Sequence, residues 1–162
     1  MILDRLIDAE HRSRLAVLGL RSVVRLPGDF SSKALETVLG MVFGPSISAG
    51  DLDFLGGHRV AVQVNDLEHQ WLFSFDGKVL RVSSGGGSAD VTISGGVSDF
   101  VLLASAREDP DTLFFQRRLV VEGDTELGLR VKYFLDHLDP GLLPPWTRWT
   151  LDRVVDFFGA RN

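Results

Sequence analysis

Four histidines, His11, His58, His69 and His137, are the side chains best suited to move a proton or hold a metal near neutral pH. No two of them fall at a metal-ligand spacing. Cysteine is absent, which removes thiolate nucleophiles, disulfides, iron–sulfur clusters and cysteine zinc sites together. Serines 83, 84 and 88 surround Gly85-Gly86-Gly87, but the stretch reads as a hairpin-type loop. It lacks the strand–nucleophile–helix elbow of a serine hydrolase. It also lacks the following helix and the Lys-Ser or Lys-Thr pair of a phosphate loop. Glu68-His69 places an acid beside a base, yet adjacency in sequence does not make two side chains converge. The densest polar group is Arg117-Arg118, with Asp109, Asp111 and Asp124 nearby. Either these opposite charges tie a short helix to a strand, or an arginine at a pocket mouth recognises a phosphate or carbonyl. No catalytic residue, metal or cofactor is expected.

The apolar inventory says more. Eleven phenylalanines and three tryptophans accompany one tyrosine. Trp71, Phe73 and Phe75 alternate along one strand face, and Val62, Val91 and Ile93 recur with the same period of two. Phe100 sits on a helical stripe after Gly95. Phe114 and Phe115 are adjacent and cannot face the same way. Leu119 and Val121 mark a strand, and Leu127, Val131, Phe134 and Leu135 share one face of a helix. Such a set builds either a filled core or the wall of an apolar pocket for an acyl or isoprenoid chain. Periodicity alone does not separate the two.

The elements that must position these residues follow from spacing and breakers. Residues 2–26 read as helix in two pieces, which either covers one side of the sheet or, with arginines flanking leucines and valines, lies at a membrane interface. A second helix starts at Ser31 or Ser32, carries Leu35, Val38, Leu39 and Val42, and is expected to end at Gly44-Pro45. Strands are expected over Val60–Val64, Trp71–Phe75, Val79–Val82, Val91–Ile93 and Leu119–Val121, with Asp76-Gly77 as a tight turn. Short strands without long crossovers favour an antiparallel sheet. Asp99 lies in the first turn of a helix that carries Val97, Phe100, Val101 and Ala104. Asp109-Pro110 starts a short helix, and Asp124 caps a longer one that ends at Asp139-Pro140-Gly141. A last helix after Pro144-Pro145 carries Trp146 and Trp149 at its start. The chain of 162 residues is one α+β unit. It divides into an amphipathic segment (1–28), a core (29–139) and a C-terminal helical extension (140–162).

The formal charge of −5 argues against a nucleic-acid partner. Residues 1–25 run the other way, with five arginines against Asp4, Asp8 and Glu10 for a net of +2. There is no apolar run of membrane-spanning length and no secretory signal pattern. A cytoplasmic protein, or one peripheral on the inner face of the cytoplasmic membrane, is the expectation. Leu142-Leu143-Pro144-Pro145-Trp146 adds an interfacial tryptophan to that reading.

One segment is more specific than any of this. Asp109-Pro110-Asp111-Thr112-Leu113-Phe114-Phe115-Gln116-Arg117-Arg118-Leu119-Val120-Val121-Glu122-Gly123-Asp124-Thr125-Glu126-Leu127-Gly128-Leu129 resembles a signature of the UbiT branch of the sterol carrier protein type 2 lipid-binding superfamily. The likeness extends over residues 31–139, through Gly50-Asp51-Leu52-Asp53-Phe54-Leu55 and Ala89-Asp90-Val91. It implies a five-stranded antiparallel sheet whose helices enclose an apolar tunnel, and lipid binding without bond chemistry. Phe114 and Phe115 then border the tunnel. Leu119–Val121 forms its wall and the helix from Leu127 its cover, while Arg117 and Arg118 match paired arginines. The branch implies a role in oxygen-independent ubiquinone synthesis beside UbiU- and UbiV-type hydroxylation proteins. The ligand would be an isoprenoid quinone precursor or a phospholipid, loaded at a membrane surface.

Overall fold

The computed structural model describes residues 28–138, and the side chains of residues 32–138. The helices expected over 2–26 and after Pro144-Pro145, with Trp146 and Trp149, lie outside the described residues. Helix α1 spans Gly28–Ala49, and Leu39, Phe43 and Ile47 recur every four residues and pack on the core. It does not end at Gly44-Pro45 as the breaker rule suggests, but continues through Pro45 for four more residues. The proline forgoes one helical hydrogen bond and crowds the preceding turn, at a cost of roughly 3 kcal/mol. Burial of Ile47 offsets part of that. The stop is Gly50, at φ +82. Its N–H donates to the Ile47 carbonyl at 3.2 Å, and that of Asp51 to the Ser46 carbonyl at 2.9 Å, which is the paired closure that only a left-handed residue permits easily.

Five strands follow: β1 Arg59–Val64, β2 His69–Phe75, β3 Leu80–Ser84, β4 Val91–Gly95 and β5 Leu119–Gly123. Their order in the sheet is β3-β2-β1-β4-β5. The β1/β2, β2/β3 and β4/β5 pairs are antiparallel, but β1 and β4 are parallel. The expectation of a wholly antiparallel sheet is therefore corrected. The glycine stretch is not a hairpin loop. It carries the chain from β3 back across two strands to the far side of β1, so that β4 runs in the direction of β1. Gly85 adopts φ +108 at the departure, and a Cβ on Gly87 would stand 3.6 Å from Leu72 Cδ2. The crossing thus passes the side of the sheet away from the helices.

Side chains on that outer side are mostly polar, including Arg59, Gln63, Arg81, Ser83 and Glu122, all exposed. The other side carries the core of Val60, Phe75, Leu80, Val91 and Ile93, closed by Leu52, Leu55, Leu127 and Val131. Three helices complete the cover: α2 Val97–Ala104, α3 Pro110–Phe115 and α4 Thr125–Asp136. Carboxylates start two of them as the sequence suggests. Asp109 accepts from Thr112 N at 3.0 Å and Asp124 from Leu127 N at 2.8 Å. Glu36 of α1 accepts from Val82 N at 3.1 Å and pairs with Arg81 at 3.3 Å. This fixes the helix to strand β3 and occupies a donor on the sheet edge.

Candidate functional site

Strand register decides which side chains share the helix-covered face. Val62 stands opposite Trp71 and Val60 opposite Phe73 across β1 and β2. Trp71 stands opposite Ser84 across β2 and β3. Val60 meets Val91 and Val62 meets Ile93 across β1 and β4. Ile93 then meets Val121, and Gly95 meets Leu119, across β4 and β5. With the strand period of two, Phe75 belongs to the same face. Phe100 of α2, Phe114 of α3, and Leu127, Val131, Phe134 and Leu135 of α4 pack onto it. Among the described residues, the structure thus brings the strand residues and the residues of α2, α3 and α4 proposed as pocket wall into one layer, except Phe115. That side chain is 91% exposed, because the turn of a helix that aims Phe114 inward aims its neighbour out.

Burial within this layer is uneven in an instructive way. Phe75, Val91, Ile93, Leu119, Leu127 and Val131 are buried core. Trp71, Phe73, Phe100, Phe114, Val121, Phe134 and Leu135 are only half-buried. Val62 is also half-buried, although it lies mid-way along the central strand. Val60 and Val64, two residues to either side on the same face, are 5% and 6% exposed. In a filled core the middle of the middle strand is the most covered position. Here it is less covered than its flanks.

Sequence reasoning missed three members of the layer. Phe43, Ile47 and Phe54 pack against the same core beside Leu39 of the expected helix stripe, and all four remain half-buried. Phe43 and Phe54 bracket Phe134 at ring distances of 5.4 and 6.1 Å. The signal was available for Phe43 and Ile47, since both continue the four-residue stripe from Leu35 and Leu39. Assigning a helix end at Gly44-Pro45 cut it short.

Polar groups on this face are few. His69 Nε2 and Ser84 Oγ are 2.9 Å apart, and the His69 ring meets that of Trp71 edge-on at 4.4 Å. Burial lowers the His69 pKa below its ordinary 6.5, which favours a neutral ring at physiological pH. The Trp71 indole Nε1 is buried without a hydrogen-bond partner. Glu68 adopts a left-handed φ of 51 and is exposed, whereas the His69 ring turns to Ser84 and Trp71.

The paired arginines part company. Arg118 reaches Asp99 Oδ1 with Nε at 2.8 Å and Nη2 at 2.7 Å. It does not pair with Asp109, Asp111 or Asp124: two of these cap helices, and Asp111 pairs with Lys132. Asp99 also accepts from Gly96 N at 3.1 Å, so Arg118 ties strand β5 to the start of α2. Arg117 is exposed and holds φ +58. It occupies the left-handed position that closes α3, with Arg117 N donating to Phe114 O and Arg118 N to Leu113 O. Among the described residues no group of three or more His, Asp or Glu side chains converges as a metal site. No described helix is long and apolar enough to cross a membrane.

A mixed five-stranded sheet with one apolar, helix-covered and unevenly buried face is the arrangement of the lipid-carrier class. The SCP-2 sterol transfer family model matches residues 43–136, and the chain belongs to that family. Solved structures agree on the fold. A UbiJ-SCP2 ubiquinone synthesis protein superposes with a TM-score of 0.54 at 20% identity, covering 69% of this chain and 95% of that one. The sterol carrier protein domain 2 of Helicoverpa armigera gives 0.53 at 21% identity, covering 67% and 87%. Among curated proteins the chain is similar to the ubiquinone biosynthesis accessory factor UbiT of Escherichia coli strain K12. The two are 42% identical over 153 aligned residues, an alignment that covers 92% of this chain and 87% of that protein. The accessory factor of strain O157:H7 gives the same figures.

Proposed function

We propose that this chain is a non-enzymatic lipid-binding accessory factor in oxygen-independent ubiquinone biosynthesis. It holds a polyprenylated ring precursor between the inner face of the sheet and the covering helices. It presents the ring to hydroxylation proteins of the UbiU and UbiV type. The observation that carries this reading is the inverted burial of Val62 between Val60 and Val64. That position lies on a face whose neighbours Trp71, Phe73, Phe100 and Phe134 are themselves half-buried. The similarity to UbiT accessory factors supplies the pathway.

The physical need is plain. A long prenyl chain is nearly insoluble, and burying one methylene is worth about 0.8 kcal/mol, so about sixteen contribute about 13 kcal/mol before ordering costs. An apolar shelter provides this without a catalytic group. The core of residues 29–139 carries the ligand, and the flanking segments 1–28 and 140–162 contact the membrane from which it is loaded. The net charge of +2 over residues 1–25 suits an anionic lipid surface. Of the two arginines, Arg117 is assigned to the polar head, because it is exposed while Arg118 is held by Asp99.

Native mass spectrometry of the full chain purified from its own host, followed by solvent extraction, tests the reading. A stoichiometric prenylated phenol or quinone is the expected cargo. Phospholipid alone would keep the carrier and remove the quinone role. An empty, tightly packed protein would remove both.

A further inference from the structure

From the orphaned indole of Trp71 we infer a second component of ligand recognition, one that rests on the lipid-carrier reading. Its N–H is the hydrogen-bond donor for an oxygen on the ligand, so the chain selects lipids whose apolar chain carries an oxygen acceptor over plain hydrocarbons. The indole Nε1 can only donate, it is buried, and it has no partner. Buried polar groups in folded proteins are nearly all paired, and a lone donor inside an apolar layer marks a place where a partner belongs. The position of Trp71 says which kind. It stands directly opposite Val62, the half-buried centre of the inner face. It packs with Val62, Phe100 and Val101 around Val64 and Val97.

The surroundings agree with a head-group end. His69 lies two residues before Trp71 on the same face, its ring against the indole and its Nε2 2.9 Å from Ser84 Oγ. Ser84 is in turn the register partner of Trp71 on β3. Indole, imidazole and hydroxyl therefore gather at one end of a face that is otherwise valine, leucine, isoleucine and phenylalanine. A ligand lying along the face places its chain against Phe73, Phe54 and Phe134 and its oxygen at this cluster. A prenylated phenol or quinone has such an oxygen, and so does the ester carbonyl of a phospholipid.

The test uses the full chain, delipidated and labelled with 15N at tryptophan indoles. The Trp71 signal is assigned by its loss in Trp71→Phe and, independently, by its proximity to the Val62 methyls. Three ligands are titrated: a farnesylated phenol, the matched farnesylbenzene without the oxygen, and a short-chain phosphatidylglycerol. The phenol should move the Trp71 N–H downfield while farnesylbenzene binds without doing so. Trp71→Phe, which keeps an aromatic wall, should weaken the phenol by about 3- to 10-fold, the worth of one hydrogen bond. Farnesylbenzene should lose less than the phenol, only the apolar contact that the smaller ring gives up, since no hydrogen bond to that ligand is lost. A downfield shift with phosphatidylglycerol alone supports the donor role and assigns it to an acyl lipid. Binding of the phenol with an unmoved Trp71 signal would sink the inference while sparing the carrier. Equal weakening of phenol and hydrocarbon by Trp71→Phe would do the same. Failure of all three ligands to bind would sink both.

Discussion

Val62→Phe separates a hollow inner face from a filled one. Val62 lies between Val60 and Val64, which are 5% and 6% exposed, yet is itself only half-buried. Were the space above it packed, the larger ring would force its neighbours off their rotamers and cost about 1–3 kcal/mol. Where the space is open, the ring enters it and buries roughly 40 Å² of additional apolar area, worth about 1 kcal/mol at about 25 cal/mol per Å². The delipidated variant should therefore unfold in urea at the wild-type free energy or up to about 1 kcal/mol above it. Ligand should suffer instead. A phenyl ring occupies the room of about three to four methylenes, and displacing them removes about 3 kcal/mol, or about a hundredfold in Kd. The paired measurement is urea denaturation without lipid and equilibrium binding of a prenylated phenol. A variant that loses 1–3 kcal/mol of stability and still binds like wild type would refute the placement of the ligand on this face.

Four further substitutions probe the frame. Gly123→Ala should cost about 3 kcal/mol or more, because its Cβ would stand 2.2 Å from the Asp90 carbonyl oxygen at φ +111. Gly85→Ala, at φ +108 but with nothing within 4 Å, should cost only about 1–2 kcal/mol, and urea melts of the pair isolate the clash. Arg117→Gly should stabilise by about 1 kcal/mol by relieving the left-handed φ of +58. A lower midpoint in urea would mean that the arginine side chain contributes more than its backbone costs. Burial holds the His69 pKa below 6.5 in the fold, so the unfolded chain takes up the proton first and stability declines as pH falls through and below 6.5. His69→Gln should flatten that decline in melts between about pH 7.5 and 5.5, and an unchanged profile would assign it to other groups.

Much of the frame was legible in the chain because it is written locally. Asp109 and Asp124 occupy the capping positions that their neighbours imply, and alternation along Trp71, Phe73 and Phe75 gives the buried face correctly. Strand direction was not legible, since alternation specifies a face and says nothing about which neighbour a strand joins. The Gly85-Gly86-Gly87 stretch serves a hairpin or a crossing equally well. Pro45 misled because the helix continues through it to pack Ile47 on the core, a tertiary contact that a local breaker rule does not see, and Arg117 because a left-handed helix stop is usually read from glycine. The charge cluster misled for a related reason: Arg118 takes Asp99, 19 residues back, over the acids nearest in sequence.

How the carboxylates are used bears on what the inner face can do. Asp66 accepts from Val97 N, Asp76 from Lys78 N and Val79 N, Asp90 from Arg59 N, and Asp99 from Gly96 N. With Glu36, Asp109 and Asp124 on backbone donors as well, seven acidic side chains stabilise turns, helix starts and a sheet edge. A carboxylate so engaged is an acceptor fixed in the scaffold and is poorly placed to act as a general base. Among the described residues the polar atoms noted at the apolar layer are the His69 imidazole, the Ser84 hydroxyl and the Trp71 indole N–H, groups that orient an oxygen but supply little acid or base strength at neutral pH. Under the proposed function such a face discriminates by shape, by apolar area and by a hydrogen bond, and chemistry on the bound ring is left to the protein that receives it.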